Sequence, residues 1–300
     1  MSRVLTYTVP PELDGRKVRS ILQGPLGLSA SLVTRLKQRD GAVCLNRNPA
    51  RTIDTVRAGD RLTAQVGDTR AGGLFAPMER KPDILFEDED LLILNKSAGM
   101  ATHGKTEKGE CTVANMLSAY LGTAYPFHPV NRLDRGTTGV MCVAKSGYAH
   151  NRARLLLHTD SFRREYLAIA RGELEDAHGV IDAPVMKIAD KKFGVRPEGA
   201  PSVTEYDVLG VSDGLTLLRV RPKSGRTHQI RVHMAYIGHP LLGDRLYGGI
   251  SDELTRPALH SRALTMTHPV TGEPICVAAP VPEDMVEVMA RHGLSLPWEA

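Results

Sequence analysis

A lapse in periodicity between about Gly67 and Pro82 splits the chain into two units of different character. Ala71-Gly72-Gly73, Pro77 and Pro82 punctuate this stretch, so residues 67–82 read as a linker. On its N-terminal side a small unit is expected over residues 12–66. There Val18, Ile21 and Leu22 recur at helical spacing until Gly24-Pro25, and Ser29 or Ser31 can cap a second helix carrying Leu32, Val33 and Leu36. Asp40-Gly41 and Ala58-Gly59-Asp60 then turn the chain into Ala42 to Leu45 and Arg61 to Val66, the two strands of a small hairpin. Beyond the linker, residues 83–300 form a second, larger unit. Strands are expected at Ile84 to Phe86, Leu91 to Leu94, Val140 to Ala144, Glu165 to Ala170, Thr204 to Leu209 and Leu215 to Val220. Helices fit Thr112 to Leu121 and Tyr148 to His158, and Ser212-Asp213-Gly214 joins the last two strands as a hairpin. The predicted class is α+β: a mixed, largely antiparallel sheet in the large unit, preceded by a small α/β unit.

Charge is unevenly divided between the two. Residues 12–66 hold ten basic and five acidic side chains, so this unit carries +5 of a chain whose net charge is +4. A basic unit on a near-neutral body suits a grip on a polyanion, with Arg35, Lys37 and Arg39 beside the second helix as candidate contacts. A solvated surface of a small domain is the plainer alternative. Apolar runs such as Leu91 to Leu94 are far too short to span a bilayer, and Met1 to Val9 lacks an apolar signal core. A cytoplasmic protein is expected. Cys44, Cys111, Cys142 and Cys276 are widely spaced in apolar surroundings, which predicts buried, reduced thiols.

The chemistry concentrates in His128-Pro129-Val130-Asn131-Arg132-Leu133-Asp134-Arg135-Gly136-Thr137-Thr138-Gly139-Val140. A lone carboxylate, Asp134, stands in a Gly/Thr-rich turn just ahead of a buried strand, where catalytic groups tend to be held. Arg132 and Arg135 flank it and favour the ionised form that a nucleophile or base requires. A surface Asp in a salt-bridged turn fits the same spacing. His228 and His233 are five apart, which neither helix nor strand aligns as metal ligands, and no Gly-x-Gly-x-x-Gly or Walker lysine loop is present. No metal and no cofactor is expected.

Several blocks in order resemble the RluA family of pseudouridine synthases across residues 84 to 275. Arg132-Leu133-Asp134 with its following turn is similar to the family's Arg-Leu-Asp signature. Asn95-Lys96-Ser97-Ala98-Gly99-Met100, Arg164-Glu165-Tyr166, Ser224 to His233, Gly238 to Asp244 and Leu259-His260 resemble its remaining elements. Asn131 and Ser97 depart from the common His and Pro at those positions. The resemblance implies isomerisation of uridine to pseudouridine in structured RNA. It makes Asp134 the catalytic aspartate, Tyr166 the tyrosine that stacks on the base and Arg231 the arginine that pairs with the aspartate, with Arg132 as an RNA contact. Residues 12–66 resemble an S-four-type RNA-binding domain, which favours ribosomal over transfer RNA as the partner of a monomeric enzyme. A non-catalytic RNA binder and, more distantly, a carbohydrate-processing enzyme are the competing readings; the latter lacks a visible second carboxylate.

The residues themselves agree with this assignment. Period-two alternation from Arg164 to Ala170 sets Leu167 and Ile169 on one face and Tyr166, Ala168 and Ala170 on the other, so the ring stands beside small neighbours. Thr227 can cap a short helix in which Ile230, Met234 and Ile237 form one stripe and Arg231 lies off it. An arginine near a helix N-terminus is mildly disfavoured, which calls for a fixed carboxylate or phosphate partner.

Overall fold

Alternating burial builds the centre of the molecule, and turns at Gly, Asp and Ser set its hairpins. The computed structural model describes residues 2–67, 75–104, 110–122, 125–157 and 159–297. In the N-terminal unit, β1 (Ser2–Thr8) precedes α1 (Val18–Gln23), which buries Val18, Ile21 and Leu22 and ends at Gly24. The side chain of Ser29 accepts from the Leu32 backbone N–H and caps α2 (Ala30–Leu36), whose buried face is Leu32, Val33 and Leu36. β2 (Val43–Leu45), β3 (Asn48–Pro49) and β4 (Arg61–Gly67) complete a four-stranded antiparallel sheet in the order β1-β4-β2-β3. This is more than the expected hairpin, and the sheet starts ahead of Glu12. β1 pairs along all of β4, from Ser2 opposite Gly67 to Thr8 opposite Arg61. Leu5 is the one buried side chain among those described in β1, so its apolar signal is too thin to read from sequence.

The body starts with the hairpin β5 (Ile84–Glu87) and β6 (Leu91–Lys96), followed by α3 (Val113–Leu121), which a Thr112–Asn115 capping box opens. Next come β7 (His128–Pro129), β8 (Thr138–Ala144), α4 (Gly147–Leu156) and β9 (Phe162–Arg171). β10 (His178–Asp182) leads to a separate two-stranded hairpin of β11 (Val185–Ala189) and β12 (Lys192–Val195). β13 (Val203–Ser212), β14 (Leu215–Pro222), α5 (Gln229–Tyr236), β15 (Leu259–Thr267), β16 (Pro274–Ala278) and α6 (Glu283–Arg291) finish the chain. Among the described residues the main sheet runs β10-β13-β14-β9-β15-β8-β6-β5, with β16 on β15 and β7 on β8. Its one parallel pairing is β15 with β8; the rest are antiparallel. The expected mixed α+β architecture is the one observed.

Both faces of this sheet are covered, and side chains sort by alternation as expected. Leu92, Leu94, Met141, Tyr166, Ala168 and Leu218 join Ile230 and Met234 of α5 in one core. Leu91, Ile93, Val140, Cys142 and Leu264 face Ala149 and Ala153 of α4 in a second. Leu167, Ile169 and Leu217 meet Met285 and Val288 of α6 in a third.

The N-terminal unit is seated on the body. Tyr148 of α4 is buried in the N-terminal core and donates to the Leu26 carbonyl at 3.3 Å, and Arg3 forms an ion pair with Asp90. Residues 68–74 of the expected linker lie outside the described residues. Its second half is docked along α3: Ser118 Oγ donates to the Phe75 carbonyl at 3.0 Å and Asn115 Nδ2 to the Ala76 carbonyl at 2.7 Å. The cysteines correct the sequence reading in part. All four are unpaired, but only Cys142 is buried; Cys44 and Cys111 are half-buried and Cys276 is exposed. Within the described residues no helix is long and apolar enough to cross a membrane.

Candidate active site

The turn ahead of β8 is held by close backbone approach. Thr137 N–H donates to the Asp134 carbonyl at 3.1 Å. Two residues on, Gly139 has φ 102°, and a Cβ there would come within 2.1 Å of the Ser261 carbonyl oxygen. Only glycine lets β15 pair with β8 at this point, Ser261 opposite Gly139. Ser261 is in turn opposite Tyr166 across β15 and β9. Adjacent strands are about 4.8 Å apart, so the start of β8 and Tyr166 lie about 10 Å from each other on one sheet.

Asp134, Tyr166 and Arg231 line one cavity of about 350 Å³ together with Arg132, Arg226 and His228. The three residues singled out in the sequence are therefore brought together. The volume is near the lower end for ligand pockets and suits a single planar base with its sugar. Arg132 is exposed and borders the cavity; Arg35, Lys37 and Arg39 lie on the separate N-terminal unit. There Arg35 lies in the last turn of α2 and Lys37 is exposed just past it, while Arg39 Nη1 donates to the Gln65 carbonyl at 3.4 Å.

The cation that pairs with Asp134 is not its neighbour in sequence. Arg135 pairs with Glu110 at 2.8 Å. Asp134 Oδ2 instead meets Arg231 Nη1 at 3.4 Å, with His228 Nε2 at 3.9 Å. Arg231 is held by Asp244, whose two oxygens accept from Nε at 2.7 Å and from Nη2 at 2.8 Å. This fork leaves Nη1 for Asp134, and the Tyr247 ring covers the guanidinium with its centroid 5.0 Å away. Asp244 is 1% exposed and Arg231 8%, so the pair is a buried one whose geometry offsets its desolvation. The expected fixed partner of Arg231 exists, and it is Asp244. One detail differs: α5 is not capped by Thr227. Its N-cap is His228, in the left-handed conformation at φ 58° and without a side-chain cap bond. The imidazole is engaged elsewhere, Nδ1 with the Tyr247 hydroxyl at 2.9 Å.

Tyr166 is 6% exposed, with Ala168 and Ala170 on its face of the sheet as the alternation predicts. Burial pushes its phenol up, partly opposed by Arg164 and by a hydrogen bond with Ser261, so the hydroxyl keeps its proton at neutral pH.

Lys96 stands in a matched block, yet nothing in its sequence context points to a role. It is 1% exposed, and its ammonium donates to the carbonyls of Ser97, Met100 and Arg135 at 3.0, 2.8 and 3.3 Å. It thus ties the 97–100 loop to the turn that bears Asp134. Burial lowers its pKa to about 7, against the pull of Asp134. The two unusual positions are accounted for locally. Asn131 Oδ1 accepts from Cys142 N–H at 2.7 Å, and Ser97 Oγ accepts from Arg80 at 3.1 Å. His233 bonds to Thr204 Oγ1 and the Ala183 carbonyl, apart from His228.

A carboxylate aimed by a fixed guanidinium, in a cavity that the Tyr166 ring also lines, can attack or deprotonate a bound nucleoside. Comparisons with known proteins place the chain in a family. The RNA pseudouridylate synthase family model matches residues 90–236. An uncharacterized RNA pseudouridine synthase of Bacillus subtilis, YjbO, is 34% identical over 271 residues, 89% of this chain and 96% of that protein. The ribosomal large subunit pseudouridine synthase D of Escherichia coli is 38% identical over 234 residues, 72% of each chain. Among solved structures, human RNA pseudouridylate synthase domain containing 4 superposes with a TM-score of 0.59 at 25% identity, covering 72% of this chain and 94% of that one. The chain belongs to the RluA family of RNA pseudouridine synthases, isomerases of uridine in RNA.

Proposed function

We propose that this enzyme modifies uridines of large-subunit ribosomal RNA and that Asp134 is its catalytic carboxylate. The observation that carries the reading is the placing of Asp134 beside Arg231, 3.4 Å apart, in a cavity of one-nucleotide size that Tyr166 also lines. The bond from uracil nitrogen 1 to the sugar breaks, the ring turns, and carbon 5 bonds to the same sugar carbon. Carbon 5 then loses its proton and nitrogen 1 gains one, so no atom is added on balance. To enter the cavity the nucleotide leaves its stack, at a cost of a few kcal/mol. Arg231 aims the Asp134 carboxylate from 3.4 Å, and Arg132 at the rim meets the RNA backbone. The choice of ribosomal RNA rests on the named E. coli relative and on the basic, S-four-like N-terminal unit with Arg35, Lys37 and Arg39. A monomer in the cytoplasm, needing neither metal nor organic cofactor, completes the reading. Mapping pseudouridine in RNA from cells with and without the protein tests it. A site lost from large-subunit ribosomal RNA is expected, and a loss confined to transfer RNA would overturn the substrate.

Tyr166 has a separable role as a stacking platform. Tyr166→Ala is expected to lose about 1–3 kcal/mol of RNA affinity, the usual worth of one stacked base. Tyr166→Phe keeps the ring and should bind as the wild type does. A defect of this variant confined to single-turnover rate would give the hydroxyl a part in the chemistry beside the ring's stacking. Equal loss of affinity in both variants would remove stacking as the main role.

A further inference from the structure

We propose that His228 is a positioning residue for Asp134, set in its Nε2–H tautomer by Tyr247, and that Tyr247 thereby links the β11–β12 hairpin to the catalytic carboxylate. The inference rests on the reading of Asp134 as the catalytic group and adds a second donor to it.

The Tyr247 hydroxyl has one proton and two lone pairs. The Phe193 backbone N–H, from β12, donates to it at 3.0 Å. His228 Nδ1 lies 2.9 Å from the same oxygen, and in the proposed tautomer it accepts the hydroxyl proton. A neutral imidazole that accepts at Nδ1 carries its own proton on Nε2. Nε2 faces Asp134 Oδ2 at 3.9 Å, beside Arg231 Nη1 at 3.4 Å, so both donors address the same carboxylate oxygen. The other oxygen, Oδ1, is then the one turned to the nucleoside. Burial, reinforced by Arg231, outweighs the pull of Asp134 and Asp244 on this ring and favours the neutral form.

Two further observations single out His228. It is a non-glycine residue at φ 58° whose side chain does not cap the helix it begins, and such backbone strain collects at working sites. Its ring also meets the edge of Phe193, with centroids 5.5 Å apart. The hairpin thus touches His228 twice, through Phe193 and through Tyr247. At 3.9 Å the Nε2–Oδ2 contact is open, and catalytic contacts of this kind commonly tighten when substrate is bound.

Glutamine and asparagine separate the two ring nitrogens. Gln places an amide N–H where Nε2 stood; Asn places it where Nδ1 stood. Single-turnover rates and RNA dissociation constants should be measured for the full-length His228→Gln, His228→Asn, Tyr247→Phe and Tyr247→Phe/His228→Gln proteins. His228→Asn is expected to lose about tenfold in rate with unchanged RNA affinity, as misplacement of a reacting group does. His228→Gln should recover most of that. Asn adopts the left-handed backbone more readily than Gln, so backbone strain alone predicts the opposite order. Tyr247→Phe keeps the ring over Arg231 but frees the tautomer. Alone it should lose about fivefold in rate, and added to His228→Gln it should cost nothing further. Equal rates in His228→Gln and His228→Asn, or a Tyr247→Phe loss that persists in the double variant, would overturn the inference. An active Asp134→Asn protein would instead overturn the reading beneath it, whatever the His228 variants do.

Discussion

Asp134→Asn is expected to abolish pseudouridine formation while the protein folds and binds RNA normally. The amide matches the carboxylate in size and keeps an oxygen for Arg231 Nη1, 3.4 Å away, and for His228. It cannot act as a nucleophile or as a base. A loss of at least roughly 10³-fold in single-turnover rate follows, because every later step depends on what this group starts. Stability should change little, by about 1 kcal/mol or less, since Arg231 retains its two bonds to Asp244 and Asp134 is partly solvated. The measurements are pseudouridine yield from purified protein, RNA affinity and thermal melting. Clear turnover by Asp134→Asn would require another group to carry the reaction.

How much of this is legible in the sequence depends on whether the needed contact is local. Alternation along one strand is local, so it correctly sets Tyr166 on the face opposite Leu167 and Ile169. Helix α1 with its Gly24 stop and the Ser29 cap of α2 are readable for the same reason. β15 is not. Its sequence, Leu259–Thr267, mixes buried His260 and Ser261 with partly exposed residues, and its role as the strand between β8 and β9 is set by pairings such as Leu259 with Ala168 and His260 with Thr138, far away in sequence. The site divides in the same way. Matched blocks bring out Asp134, Tyr166 and Arg231, but polar contacts that organise them span long intervals. Arg231 reaches Asp134 across 97 residues and Lys96 reaches the Arg135 carbonyl across 39. Flanking charge is a misleading guide, because the turn sends Arg135 to Glu110 instead. A positive charge near a helix N-terminus is the better signal. It demands a fixed anion, which is Asp244, thirteen residues on in a loop that no periodicity describes.

Asp244 should therefore behave as the reverse of Asp134, a residue whose loss is felt first in stability. Asp244→Ala leaves Arg231 Nε and Nη2 without their acceptors in a site where the arginine is 8% exposed. Removing one partner of a buried pair costs about 3–5 kcal/mol, since the remaining charge is neither solvated nor neutralised. The Leu246 backbone N–H also loses its acceptor, Asp244 Oδ1 at 3.2 Å, which loosens the loop that carries Tyr247. At about 2–4 °C per kcal/mol for a chain of this size, the melting temperature should fall by roughly 10 °C. Activity should fall with it, because a guanidinium freed from the fork no longer presents Nη1 to Asp134 at a fixed angle. A second substitution separates the two effects. In Asp244→Ala/Arg231→Met both charges are gone and an apolar chain of similar length fills the space, a change that is often neutral or stabilising for buried pairs. Most of the lost melting temperature should return in the double variant, while pseudouridine formation should not. Recovery of activity along with stability would mean that Arg231 serves the fold alone, and that Asp134 needs no guanidinium to work.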